Sequence, residues 1–457
     1  MDNRILITGA TIVNENKVFE GSVLIDGDRI EGVFRKDDPD IPVDDWDNID
    51  LIDARGLHLF PGIIDDQVHF REPGPTAKGD IASESRAAVA GGITSFMDMP
   101  NTEPKAVTLA ILEDKYRLAS QRSLANYSFF LGATNDNFRE IEKADPGRIC
   151  GLKVFLGSST GNMLVNDPAA LEQIFKSSRL LVAIHSEDEE IIRKNLEIFI
   201  ARYGDDIPFS AHPLIRSEEA CFVSTERAVA LARRFNTRLH ILHLSTAREL
   251  ELLDSGIPLE NKRITSEVCV HHLWFDDRDY QEKGASIKWN PAIKTEKDKL
   301  ALLNGLITGS IDIVATDHAP HLPEEKQRPY LTCPSGGPLV QHSLVAMLEL
   351  YHRKNISLVK IVEKMAHAPA TLYRIKKRGF IRTGYYADLV LVDLKAPWTV
   401  DNSNILYKCG WSPFEGTTFS SKVKHTFVNG NHVFSNGKFA DRIKGKRLEF
   451  NKTNNDR

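Results

Sequence analysis

The chain has 457 residues, enough for one large domain plus a smaller one or for a barrel carrying an accessory sheet. Its 42% apolar and 26% charged residues and its formal net charge of −5 describe a globular protein, with no basic stripe for nucleic acid and no apolar run long enough to span a membrane. Cys150, Cys221, Cys269, Cys333 and Cys409 are scattered without a C-x-x-C pair. They read as buried thiols of a reducing, cytoplasmic compartment, so a metal is expected on His, carboxylate or a modified side chain rather than on thiolate.

The start, MDNRILITGA, lacks the basic and apolar regions of a secretory signal, so the mature chain is expected to begin near Met1. The first sixty residues predict short strands: ILITGATIV, GSVLIDGDRIEGVF with its Asp-Gly turn, and a strand near IDLIDARGLHLF. Between residues 61 and 379, the apolar stretches GIIDDQVH, GITSFMDM, NYSFFLG, GLKVFL, LLVAIH, LHILHL, RITSEV and IDIVATD alternate with helical ones. This alternation predicts an α/β fold, a (β/α)8 TIM-type barrel. Helices such as DIASESRAAVAGG carry ordinary punctuation, with Asp80 as cap and Gly91-Gly92 as stop.

RIKKRG at 374–379 reads as a solvated helix end. Beyond it, ADLVLVDL (387–394) and KVKHTFVNGNHVFSNGKF (422–439), with two Asn-Gly turns, are strand-like again. Neither terminal β segment buries a face alone, so residues 1–60 and 380–445 are expected to pair into a small accessory β-sandwich. Residues 446–457 are left as a polar tail whose end, NKTNNDR, is expected to fray.

Barrel enzymes carry their chemistry at the C-terminal ends of the strands. His69 stands at the end of the first predicted strand, Lys153 within the fourth, and His185, His243 and Asp317 at the ends of the fifth, sixth and eighth. Any one of these histidines is explained by a hydrogen bond at a strand end; together they form a donor set suited to zinc. In the apolar GLKVFL, Lys153 either snorkels to the mouth or is chemically changed, because burial favours a neutral amine that can add carbon dioxide. Arg71, two residues beyond His69, suits a bidentate grip on a carboxylate, or an ordinary surface ion pair. The pair His271-His272 reads as structural, since vicinal side chains on extended backbone point apart.

PGIIDDQVHFREPG (61–74), FMDMPNTEP (96–104), GLKVFLGSSTGN (151–162), IHSED (184–188), HLSTA (243–247), NPAIK (290–294) and ATDHAPH (315–321) resemble dihydroorotases of the amidohydrolase superfamily. Hydantoinases, dihydropyrimidinases and allantoinases share the metal segments, whereas REPG, MPNT and ATDHAPH favour dihydroorotase. The resemblance implies one metal on His69 and Asp317, a second on His185 and His243, and carboxylated Lys153 as their bridge. It implies substrate contacts from Arg71, Asn101, Asn290, His321 and Gly337 of the CPSGGPLVQH loop. It also implies zinc-dependent interconversion of L-dihydroorotate and N-carbamoyl-L-aspartate in pyrimidine biosynthesis, with Asp317 moving the proton, no organic cofactor and a homo-oligomer open.

Relatives carry His-x-His where this chain has Gln67-Val68-His69. An amide oxygen is a poorer zinc ligand than imidazole, so three outcomes stand: two metals with a weakened first site, one metal, or a metal-binding scaffold with little turnover.

Overall fold

Strands β1 (Ile63–Val68), β2 (Ile93–Asp98), β3 (Asn126–Phe129, resuming at Leu131–Gly132), β4 (Leu152–Phe155), β5 (Val182–His185), β6 (Leu239–Ile241), β7 (Ile264–Cys269) and β8 (Ile313–Ala315) alternate with helices. The computed structural model describes residues 4–39, 41, 49–157 and 163–452. All neighbouring strands pair in parallel, and β1 and β2 are buried at every residue, which is why they read as continuous apolar runs. β3 is interrupted at Phe130: its first half pairs with β2 and its second with β4. The ring closes where the His69 amide donates to the His318 carbonyl (2.7 Å) and Val68 bridges His318.

The terminal segments share one nine-stranded sheet, ordered 438–439, 431–435, 422–428, 389–393, 58–61, 4–14, 17–26 and 29–35, with 50–53 beside 4–14. Period-two alternation gives it two apolar faces: Ile5, Ile7, Val23, Leu389, Leu391 and Phe427 enclose the sheet's own core, while Phe60, Val390 and Val392 pack into the barrel core. The terminal segments thus pair, as expected, but into one sheet rather than into two sheets of a sandwich. The Asn-Gly turns adopt left-handed backbone at both residues (Asn429 φ 50°, Gly430 φ 75°; Asn436 φ 46°, Gly437 φ 87°), as two-residue hairpins with right-handed twist require.

Two stretches depart from expectation. Residues 395–421 leave the sheet, form a small ladder (Trp398–Thr399 with Thr418–Phe419) and reach the barrel mouth, where Trp411 Nε1 donates to the His321 carbonyl at 2.7 Å. Residues 446–452 are docked rather than a free tail: Leu448 and Phe450 are buried, and their amides bond Tyr127 O and Gly147 O. Two apolar side chains in a charged segment are enough to hold it against the barrel. Of the segment expected to fray, residues 453–457 lie outside the described residues, as do 158–162 of the GLKVFLGSSTGN motif. No helix among the described residues is long and apolar enough to cross a membrane.

Candidate metal centre

The C-terminal ends of the barrel strands open into a cavity of about 390 Å³. His69 lies just beyond β1, Lys153 in β4, His185 at the end of β5, and His243 and Asp317 just beyond β6 and β8; all five line the cavity, as do Arg71, Asn101, Asn290 and His321. Gly337 is not among the lining residues. Ser335 and Gly336 line the cavity instead, and a Cβ at Gly337 would meet Trp289 at 2.7 Å. Gly337 serves the loop through its carbonyl, which accepts from the Ala319 amide.

Two close pairs of metal-type donor atoms face the cavity. The His69 Nδ1 proton goes to Asn101 Oδ1 (2.8 Å), leaving Nε2 as an acceptor 3.2 Å from Asp317 Oδ1. The His185 Nε2 proton goes to Glu187 Oε2 (2.9 Å), leaving Nδ1 as an acceptor 3.0 Å from His243 Nε2. His69 Nε2 and Asp317 Oδ1 need a shared proton or a cation between them, His243 Nε2 can donate to His185 Nδ1 or, deprotonated there, join it on a cation, and three imidazoles with a carboxylate suit a borderline divalent metal. The donor set therefore fits a metal at each pair.

The surroundings hold these atoms in place. Arg216 pairs with Glu187 (2.5 Å), and that cation, with burial opposing it, keeps Glu187 well below the usual carboxylate range and therefore ionised. Glu267 Oε1 accepts the His243 amide (3.2 Å), and Gln67 Nε2 donates to Asp317 Oδ1 (3.2 Å). His243 (φ 40°), Asp317 (φ 47°) and Arg71 (φ 65°) all sit in left-handed backbone, a strain that persists only where the surroundings enforce it.

Lys153 is buried, its Nζ 4.5 Å from the Phe155 ring centre, and burial brings its amine down to about 7 despite the nearby Asp317 and Glu267. A fraction of it is thus neutral and nucleophilic at neutral pH. At the mouth, His321 Nε2 donates to Ser335 O (3.0 Å), Lys78 Nζ donates to its Nδ1 (3.1 Å), and Arg71 Nη2 approaches within 3.1 Å. Burial and the cations Arg71, Lys78 and Lys326 keep that imidazole neutral. The result is a partly buried guanidinium and a lysine facing a cavity floored by metal-type donor atoms.

The amidohydrolase family model matches residues 58–433. The chain belongs to that family. Among its relatives are a dihydroorotase from Anaplasma phagocytophilum, 33% identical over 84% of this chain and 85% of that one, and a dihydroorotase from Pyrococcus horikoshii, 30% identical over 97% and 95%. The L-hydantoinase (dihydropyrimidinase) of Arthrobacter aurescens superposes with a TM-score of 0.89 at 24% identity, covering 96% of this chain and 97% of its own, a likeness of fold. This amidohydrolase is accordingly metal-dependent.

Sequence reasoning missed Lys78 and Trp289, both of which line the cavity. Glu187 carried a signal, a carboxylate two residues beyond the candidate ligand His185 within IHSED. For His271 and His272 the premise fails: both lie in the short helix Val270–Trp274, not on extended backbone, and their rings are 4.1 Å apart.

Proposed function

We propose that this amidohydrolase is a zinc-dependent dihydroorotase, interconverting L-dihydroorotate and N-carbamoyl-L-aspartate in pyrimidine biosynthesis. The observation that carries this reading is one cavity holding both a metal-type donor set and the partly buried Arg71, two residues beyond His69. His69, His185, His243, Asp317 and N6-carboxylated Lys153 would hold one or two zinc ions, which would supply Lewis acidity toward the ring amide and toward a water. Arg71, with Lys78 close by, grips the ring carboxylate. Asn290 Oδ1, buried without a protein partner, accepts a ring N–H. Asp317 takes the water proton at Oδ2 as the hydroxyl adds to the carbonyl carbon. It holds that proton while the C–N bond breaks and returns it to the ring nitrogen.

Dihydroorotate, dihydrouracil, hydantoin and allantoin assayed on one metal-loaded preparation test the reading. Dihydroorotate is expected to dominate, and Arg71→Met to lower its kcat/KM by ~10²-fold, the loss of charged hydrogen bonds worth about 1.5–3 kcal/mol each. Preference for a ring without a carboxylate would replace this reading by a hydantoinase-, dihydropyrimidinase- or allantoinase-type one. Metal-loaded protein without turnover in either direction would leave a scaffold for a partner enzyme.

The amide of Gln67 turns its nitrogen, not its oxygen, toward Asp317, so the ion on His69 and Asp317 is expected to be the loosely held one. Gln67→His is expected to tighten it by about tenfold or more, read as zinc retained on dialysis against a weak chelator. Unchanged retention would place position 67 outside the ion's reach. A cytoplasmic, reducing setting belongs to the same reading, supported by five free and buried cysteines. Self-association is read by light scattering of the purified protein.

A further inference from the structure

Behind the catalytic cavity, at the end of β7, the chain turns from strand into the short helix Val270–Trp274 and brings Cys269, His271 and His272 together. One ligand atom from each lies within 4.8 Å of the others, and all three residues are buried. Their hydrogen bonding is incomplete. His272 Nε2 donates to the Pro291 carbonyl (3.2 Å), which fixes the tautomer and leaves Nδ1 as a lone pair that is buried and without a partner. Both nitrogens of His271, whose ring stacks on Trp289 at 4.3 Å, also lack a hydrogen bond, beyond a loose approach to the Thr316 backbone. Cys269 Sγ makes only a weak contact, 3.7 Å, with Gln67 Oε1. Buried polar atoms are ordinarily satisfied, so these under-bonded ring nitrogens beside a thiol call for a ligand.

We infer that Cys269, His271 and His272 Nδ1 form a further metal site for one thiolate-ligated divalent ion of the zinc type, with Gln67 Oε1 facing its open position. Metal–nitrogen and metal–sulfur bonds of about 2.0–2.3 Å put tetrahedral ligands roughly 3.3–3.8 Å apart, so an inward shift of about 1 Å closes the set. Electrostatics agree. Burial, together with the neighbouring acidic groups Glu267, Asp317, Asp65 and Asp66, keeps the Cys269 thiol protonated; the arriving metal displaces the thiol proton and takes the thiolate. Burial keeps both imidazoles neutral, His272 at about 4, as ligands must be. The neighbouring trio Asp66, His240 and Glu267 has the same proximity but offers less, because Thr265 and Glu267 already occupy both nitrogens of His240.

The site stands on its own residues and not on the assignment of the catalytic centre. Its test is cobalt(II) added to the metal-free full chain. A near-ultraviolet thiolate-to-cobalt charge-transfer band is expected in wild type and in Lys153→Met, whose catalytic centre is depleted, and is expected to vanish in Cys269→Ser with the loss of one metal equivalent per chain. His272→Asn, which keeps the thiol, is expected to weaken cobalt binding by about tenfold. Absence of the band in cobalt-saturated wild type, or the same band and metal count in Cys269→Ser, would overturn the site. Loss of metal and turnover in Lys153→Met with the band intact separates this question from that of the catalytic centre.

Discussion

Asp317→Asn is expected to lower kcat by about 10³-fold in both directions while the fold and most of the bound metal remain. A positioned proton carrier contributes typically 10²–10⁴-fold, and among the described residues no other aspartate or glutamate lines the cavity to replace it. Asparagine is the informative substitution for two structural reasons. Its side chain preserves the shape between Gln67 and His69, and its backbone tolerates the left-handed conformation that Asp317 adopts (φ 47°), so a loss of activity is not a loss of structure. The amide oxygen still offers the metal a weak ligand but cannot accept a proton at neutral pH. Turnover numbers, metal content by mass spectrometry and a thermal melt on one preparation decide the matter. Retention of more than a tenth of wild-type turnover would move the proton to another carrier.

The parts of this molecule legible in the sequence are those specified locally. Eight apolar runs bounded by turn residues give eight barrel strands, because strands buried on both faces need no long-range information to be recognised. The ligands could be placed because a strand's C-terminal end is also a sequence landmark; His185 is the last residue of β5. What stayed hidden depends on contacts between distant segments. Trp411 reaches His321 across ninety residues of chain, and Leu448 and Phe450 find Tyr127 and Gly147 on the barrel. No periodicity carries that information. The loop at 335–337 was anticipated as a region, but which of its residues faces the cavity is decided by Trp289 filling the space beside Gly337. The Cys269-His271-His272 group was passed over because its backbone changes from strand to helix within two residues, and the spacing rule for extended chain no longer holds there.

Lys153→Met is expected to cost both metal and activity, with turnover falling by about 10⁴-fold or more, because it removes the group proposed to join the two ligand pairs while keeping an unbranched side chain that fits a buried strand. The same residue gives the metal-free protein a pH signature. Folded Lys153 titrates at about 7, whereas an unfolded lysine titrates near 10.4. Between those values the unfolded chain holds one more proton than the folded one, so stability rises with pH by about 1.4 kcal/mol per unit from this group. Below 7 both states are protonated and the dependence stops. Other groups titrate in that window as well, so the quantity to measure is the difference between wild type and Lys153→Met in urea unfolding at pH 7, 8 and 9: the gap is expected to close in favour of wild type as pH rises. Uptake of ¹³C-bicarbonate onto the amine follows the neutral fraction and is expected to increase through pH 7. A lysine protonated up to pH 10 would show neither effect, and the carbamate bridge would then have to form from an ammonium group that has no lone pair to offer.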